Sequence, residues 1–425
     1  MEENTKILIK NGRAVDPVTN TDQQMDILIE GPMIVKTGQL IEDDEAQIID
    51  AAGLTVAPGL MDSHVHFRDP GFTYKEDIFT GAQAAAAGGV TGVVCMANTK
   101  PPVDSLETLD YVQKKSEEAL VNVYQAATLT KGMKGQELTD MEALSQAGAV
   151  CFTDDGKPVM DEKLLFEAMR RAYDLDVPIS LHEEDPAFIH GAGVNDGEAA
   201  RRLGYGGAMR TAEEVMVARD CMLALETGAP VCIQHISSGR SVALVRLAKS
   251  LGADVHAEAT PHHFTLTEDA VLQYGANARM NPPLRTEEDR QAIIEGICDG
   301  TIDIIATDHA PHSAQEKAKP ISQAPSGIIG LETSLALGIH SLVEPGYLTL
   351  MELLRRMTEG PELFYRMEPQ GFRFGNCADF VIFGEKEMHT VTGFASRSSN
   401  SPFLGWELPG TIHYTICGGR IVYQK

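Results

Sequence analysis

The middle of the chain alternates two hydrophobic patterns. Short, nearly unbroken apolar runs occupy residues 60–65, 90–97, 121–128, 149–153, 177–181, 230–234, 254–259 and 302–307. Continuous apolarity over so few residues marks parallel strands covered on both faces. Between them lie segments with helical periodicity, among them 162–175, 211–227 and 241–251. Eight strands alternating with helices over residues 57–364 predict a (β/α)₈ barrel. A doubly wound open sheet is the structural rival. No Gly-x-Gly-x-x-Gly follows the first strand, which counts against its dinucleotide-binding form.

The two ends read differently. Residues 7–10 stop at Asn11-Gly12, residues 26–29 stop at Glu30-Gly31-Pro32, and runs at 33–35 and 47–49 follow. Asn-Gly and Glu-Gly-Pro between apolar runs are hairpin chemistry. The far end carries matching runs at 378–383, 411–416 and 418–423. Neither end has enough strands to stand alone, so they are paired into one small β-sandwich. The expected organisation is 1–56 and 365–425 for that sandwich and 57–364 for the barrel.

Composition narrows the partners. The 425 residues are 43% hydrophobic and 23% charged, with 35 Lys and Arg against 61 Asp and Glu, a formal charge of −26. Such a surface disfavours nucleic acid and anionic membrane. It leaves room for a small anionic substrate, since one local Arg is enough to bind one. Cys95, Cys151, Cys221, Cys232, Cys298, Cys377 and Cys417 are scattered, with no Cys-x-x-Cys. They read as reduced thiols, not as a disulfide framework or a thiolate zinc site. The acidic N-terminus has no apolar leader, and no run approaches the roughly 18 apolar residues of a membrane span. The expectation is a cytoplasmic protein.

In a barrel of this kind the reacting groups project from the C-terminal strand ends. The first strand leads into Asp62-Ser63-His64-Val65-His66-Phe67-Arg68. Alternate strand residues share a face, so His64 and His66 form a convergent imidazole pair suited to zinc. The second strand ends at Asn98, the fourth at Asp154-Asp155-Gly156, the fifth at His182, the sixth at His235 and the eighth at Asp308. Any one of these histidines alone is more often structural. His190, His340 and His389 fall outside the pattern, and His256, His262 and His263 read as barrel-wall or loop residues. Jointly, four imidazoles and two or three carboxylates can hold one or two divalent ions, which lower the pKa of bound water from about 15.7 toward 7. Asp308 is the candidate proton shuttle. Of Asp154 and Asp155 one points inward, and spacing does not choose between them. Arg68, Asn98 and Asn281 form a second group. A guanidinium clamps a carboxylate and side-chain amides add hydrogen bonds, so they suggest a small anionic substrate with amide-like edges. Asn281 also reads as a turn residue before Pro282-Pro283. Residues 312–330 form a polar run of the sort used for lids and binding loops.

Asp62-Ser63-His64-Val65-His66-Phe67-Arg68-Asp69-Pro70-Gly71, Met96-Ala97-Asn98-Thr99, Asp154-Asp155-Gly156, Asn281-Pro282-Pro283-Leu284-Arg285 and Ala306-Thr307-Asp308-His309-Ala310-Pro311-His312 together resemble the dihydroorotases. More narrowly they resemble the class I bacterial branch of the amidohydrolase superfamily. The resemblance spans residues 6–423. It implies the zinc-dependent, reversible cyclisation of N-carbamoyl-L-aspartate to L-dihydroorotate in pyrimidine biosynthesis. It places His64, His66 and Asp308 on one zinc and His182 and His235 on a second. Asp155 becomes the bridge in place of the carboxylated lysine of many superfamily members, with Lys157 a remote alternative. The implied substrate contacts are His66, Arg68, Asn98, Asn281, His312, Ser326 and Gly327, with Arg68 on the α-carboxylate. A homodimer is the expected assembly, and aspartate transcarbamoylase a conceivable partner. The rivals are a neighbouring cyclic amidase, such as dihydropyrimidinase, hydantoinase or allantoinase, and a non-catalytic assembly subunit that keeps the barrel.

Overall fold

The computed structural model describes residues 6–191 and 193–425. Its centre is a closed parallel barrel. The strands are Leu60–Val65, Val90–Cys95, Asn122–Gln125, Ile179–Leu181, Val231–Ile233, Val255–Ala259 and Ile304–Ile305. The fourth position is held by a single bridging residue, Phe152, paired in parallel with Ala127 on one side and Ile179 on the other. A bridge between Val65 and His309 closes the ring. The fourth strand is therefore shorter than its apolar run 149–153 predicts. Its backbone leaves the ladder at Asp154, whose carboxylate accepts the Thr130 N–H at 3.1 Å.

The helices Glu162–Leu175 and Thr211–Thr227 have the bounds that periodicity predicts. Asp161 starts the first of them by accepting the Leu164 N–H, and the second stops at Gly228 in the left-handed region. Gly239–Ser250 begins before its apolar stripe because Ser238 caps it, accepting the Arg240 N–H. Val93, Ile179, Ile233 and Ile305 face the helix layer and share one buried cluster with helix residues such as Leu165, Val217, Val245 and Ile294, while the alternate strand positions Met61, Val94, Cys232 and Ile304 form a separate cluster inside the barrel.

Both chain ends meet in one eight-stranded sheet. Its order is Arg420–Gln424, Thr411–Cys417, Phe380–Gly384, Thr55–Pro58, Lys6–Asp16, Thr21–Glu30, Met33–Gly38, with Gln47–Asp50 also on Lys6–Asp16. The seam between the ends is antiparallel, Val381 against Ala57. A separate core of Ile7, Ile9, Ile27, Ile29, Phe380 and Ile382 fills it. The Glu30-Gly31-Pro32 hairpin is present, with Glu30 paired to Met33. Asn11-Gly12 is no hairpin. It lies inside the strand Lys6–Asp16, where the register shifts between Ile9 and Gly12. Asn11 sits at φ +62° and donates its N–H to Asp26 Oδ1 at 2.9 Å, so the dipeptide marks a β-bulge. Among the described residues no helix is long and apolar enough to cross a membrane.

Candidate active site

The strands release their site residues through unusual backbone. Arg68 (φ +60°), His235 (φ +31°) and Asp308 (φ +49°) have positive φ, which only a few per cent of non-glycine residues adopt, Asp and His more readily than Arg. Strain of this kind persists where surrounding packing over-determines it, and it clusters at functional sites.

Two overlapping groups of donor atoms form at the strand ends. One is His64, His66 and Asp155, the other Asp155, His182 and His235, and within each the donor atoms lie within 4.8 Å of one another. Asp155 belongs to both. Its Oδ1 lies 3.6 Å from His64 Nε2, 3.5 Å from His182 Nδ1 and 3.9 Å from His235 Nε2, and its Oδ2 is 3.6 Å from His66 Nε2. Asp308 Oδ1 is 3.0 Å from His66 Nε2 and 3.6 Å from His64 Nε2. Most of these spacings are too long for good hydrogen bonds. They surround a small buried gap. Asp154 turns the other way, onto the Thr130 N–H and hydroxyl, and burial raises it to about 6. The geometry thus separates the two adjacent aspartates.

Three of the four rings have their outer nitrogen engaged. His64 Nδ1 lies 2.5 Å from Glu258 Oε1, His66 Nδ1 3.0 Å from Asn98 Oδ1, and His182 Nε2 3.2 Å from Glu184 Oε2. An acceptor outside fixes the proton there and leaves the inner lone pair free, as in metal-ligating histidines. His64 Nε2 is fully buried and has no hydrogen-bond partner. Burial penalises a charge on His64, yet Glu258, Asp155 and Asp308 outweigh it and push the ring up to about 10. His182 rises to about 10 against burial, through Asp155 and Glu184. His235, buried beside His182 and His64, is held well below the usual imidazole range. Burial opposes ionisation of Asp155, but His182, His64 and His66 hold it well below the usual carboxylate range. Without an ion the cluster draws in protons; a cation satisfies the same field. The donor set therefore fits a divalent metal.

Above this centre opens a cavity of about 200 Å³, lined by His66, Arg68, Asn98, Asp155, His182, His235, Asn281, Asp308, His312, Ser326 and Gly327 together with Gly156 and Ala310. Every site residue expected from the sequence lines it except His64, which lies beneath. Arg68 Nε donates to Pro311 O at 3.2 Å, and its Nη2 lies 3.5 Å from His312 Nε2. Ser326 Oγ donates to Asn281 Oδ1 at 3.0 Å. Asn98 turns its amide down toward the metal centre, with Nδ2 donating to Asp155 Oδ2 at 2.8 Å. The run 312–330 includes the short helix Ala314–Lys317. It is tied to the pocket through Lys317, whose ammonium donates to Pro325 O and Gly327 O at 3.0 and 2.8 Å.

Lys157 is exposed and belongs to neither donor group. His263 is buried, with Nε2 3.0 Å from Pro282 O, and His256 lies at the opposite end of the barrel with Asp254 and Asp303. Glu258, Glu184 and Lys75 are additions that sequence reasoning missed. Glu258 left a signal: it is the one carboxylate inside the buried strand Val255–Ala259. Such a residue needs a partner. It takes His64, the Ser63 hydroxyl at 3.3 Å and the His235 N–H at 3.2 Å.

A closed parallel barrel whose strand ends gather imidazoles and carboxylates under a polar pocket is the architecture of an amidohydrolase, a metal-dependent class. The L-hydantoinase (dihydropyrimidinase) from Arthrobacter aurescens superposes with a TM-score of 0.87 at 26% identity, over 99% of this chain and 96% of that one. The dihydropyrimidinase from Brevibacillus agri NCHU1002 shares the fold, with a TM-score of 0.86 at 20% identity over 99% and 95% of the two chains. A family model described as dihydro-orotase-like matches residues 53–241. The dihydroorotase of Clostridioides difficile (strain 630) is 58% identical over 98% of this chain and all of its own length. That of Clostridium acetobutylicum is 51% identical over 98% and 99%. The chain belongs to the dihydroorotase family and is a cyclic amide hydrolase.

Proposed function

We propose that this chain interconverts N-carbamoyl-L-aspartate and L-dihydroorotate with zinc, in pyrimidine biosynthesis. One observation carries the reading: the buried Asp155 carboxylate, shared by two imidazole groups, directly beneath a pocket flanked by Arg68. His64, His66 and Asp308 would hold one zinc, His182 and His235 a second, with Asp155 between them. A bound zinc supplies Lewis acidity toward the ring amide carbonyl and acidifies water. The chain's own residues do the rest. Arg68 pairs its guanidinium with the substrate α-carboxylate, while His66, Asn98, Asn281, His312 and the Ser326-Gly327 backbone border the ring. Asp308 takes the proton of the attacking water on a carboxylate oxygen and returns it to the departing ring nitrogen; cyclisation runs the same transfers backwards. The barrel, 57–364, would carry all of these groups, and the sheet built from 1–56 and 365–425 would brace it. A cytoplasmic homodimer, with aspartate transcarbamoylase as a possible associate, completes the proposal.

The test is turnover of L-dihydroorotate, followed by ultraviolet absorbance, beside dihydrouracil, hydantoin and allantoin. Strong preference for dihydroorotate, loss on chelation and recovery with zinc are expected. Preference for dihydrouracil would move the chain to the neighbouring amidases and overturn the role of Arg68. No turnover by zinc-loaded protein would favour an assembly subunit.

A further inference from the structure

The stretch between the strands Phe380–Gly384 and Thr411–Cys417 does not stay with the sheet. Residues 395–400 cross to the open end of the barrel and are pinned there along their length. The Ala395 and Ser396 N–H groups donate to Glu332 at 2.8 and 3.0 Å, and the Ser398 hydroxyl donates to Lys75 O at 2.7 Å. The segment ends on Asn400, which is buried. The Asn400 amide spends all its hydrogen bonds on the backbone of the loop after the eighth strand. Its Oδ1 accepts the His312 N–H at 3.0 Å, and its Nδ2 donates to Ala310 O and Gly327 O at 3.0 and 3.1 Å. The Asn400 carbonyl accepts the Ile329 N–H at 3.1 Å. An N–H only donates and a carbonyl only accepts, so the arrangement admits one orientation of the amide.

The two limbs of that loop meet directly where Ala310 donates its N–H to Ile328 O at 2.8 Å. Past this point they part around the cavity, lined by His312 on one limb and Gly327 on the other. Other ties hold the tip of the loop: the His312 ring lies 2.8 Å from Ser326 O, and Lys317 donates to Pro325 O and Gly327 O. None of them reaches Ala310 O or the His312 N–H. Among the described residues Asn400 is the sole hydrogen-bond partner of both. We propose that Asn400 is a positioning residue of the active site: its amide splints the two limbs and sets the spacing of His312 and Gly327 across the mouth of the cavity. It touches none of the residues that would hold metal, so its influence falls on substrate binding and not on the metal centre. A residue 90 positions beyond Ala310, in the part of the chain that builds the sheet, thereby completes the pocket. The kinetic consequence rests on the dihydroorotase reading above; the splint itself does not.

The test uses full-length, zinc-loaded protein. Wild-type turnover of L-dihydroorotate comes first; its absence would sink the functional reading and leave the exchange measurement to decide the splint. With turnover present, N400L, close in size but without donor or acceptor, should raise KM by about tenfold, the scale of one buried group left without its partner. In the same variant kcat should change less than about threefold, and zinc content should not change. The second arm is amide exchange read by mass spectrometry. In N400L the peptide containing His312 should gain at least one fast-exchanging hydrogen. N400D has the shape of the parent side chain and serves if N400L does not fold. It keeps an acceptor for the His312 N–H and loses both donors, so that hydrogen should stay protected while KM still rises, because Ala310 O has lost its donor. A loss confined to kcat, a loss of zinc, or wild-type exchange at His312 in N400L would each overturn the proposal. So would a KM within about twofold of wild type in both variants.

Discussion

Histidine meets carboxylate at both ends of the barrel, with opposite results. At the N-terminal end His256 has Asp303 Oδ2 2.7 Å from Nδ1 and Asp254 Oδ1 3.4 Å from Nε2. Lys249 and Arg366 complete a closed network, at 3.1 Å from Asp303 and 3.4 Å from Asp254. Both nitrogens of that ring face a negative oxygen, and Arg366 also pairs with Asp176 at 3.2 Å, so three cations meet three carboxylates. At the C-terminal end each ring but His235 spends its outer nitrogen on Glu258, Asn98 or Glu184, and the inner nitrogens converge on Asp155. The residue types are the same. What separates a structural ion pair from a metal centre is the lone pair left over, and its direction.

The comparison breaks most visibly at Asp155. Asp155→Asn removes the one carboxylate common to both donor groups, and its amide hydrogens would face the imidazole lone pairs. Zinc affinity should fall by well over the ~100-fold that loss of an outer hydrogen-bond partner costs, and turnover should vanish with it. Metal content after dialysis against a chelator, beside dihydroorotate hydrolysis, measures both. Full retention of metal would move the bridging role elsewhere. Glu258→Gln is the sharper instrument, because Glu258 faces neither the cavity nor the substrate. It should weaken zinc binding by about 10–100-fold while leaving KM for dihydroorotate, measured at saturating zinc, close to wild type. An unchanged zinc titration would show that the His64 tautomer does not depend on this carboxylate.

Much of this was legible in sequence, for identifiable reasons. The barrel announced itself because buried parallel strands must be apolar on both faces, and its site residues because they sit where those runs stop. Spacing alone could not tell Asp155 from Asp154, since adjacent residues point oppositely; the family resemblance chose Asp155, and the contact of Asp154 with Thr130 shows physically which of the two is consumed elsewhere. Asn98 was legible as a pocket residue but not as a partner of His66 and Asp155, a relation made by strands far apart in the chain. Lys75 carried no signal: its partner lies 237 residues away. Asn11-Gly12 misled because the same left-handed backbone serves a hairpin turn and a bulge, and only the pairing of the following residues decides.

The smallest effect comes from the closed network, and its sign is fixed by linkage. Burial disfavours a charge on His256, but Asp254 and Asp303 outweigh it and raise the ring from 6.5 to about 9. A raised imidazole contributes stability that is fully present below the unfolded pKa near 6.5 and is lost as pH rises through 9. About a quarter of the side chain is exposed, so solvent screening discounts the shift, and about 2 kcal/mol is a fair scale. His256→Gln should therefore lower the melting temperature at pH 6 and much less at pH 10. Because the network lies at the far end of the barrel, kcat and KM at pH 8 should remain those of the parent. A destabilisation independent of pH would mean that His256 acts by packing, against Phe364 at 5.1 Å between ring centroids, and not by charge. A loss of zinc in the same variant would erase the distinction between the two ends altogether.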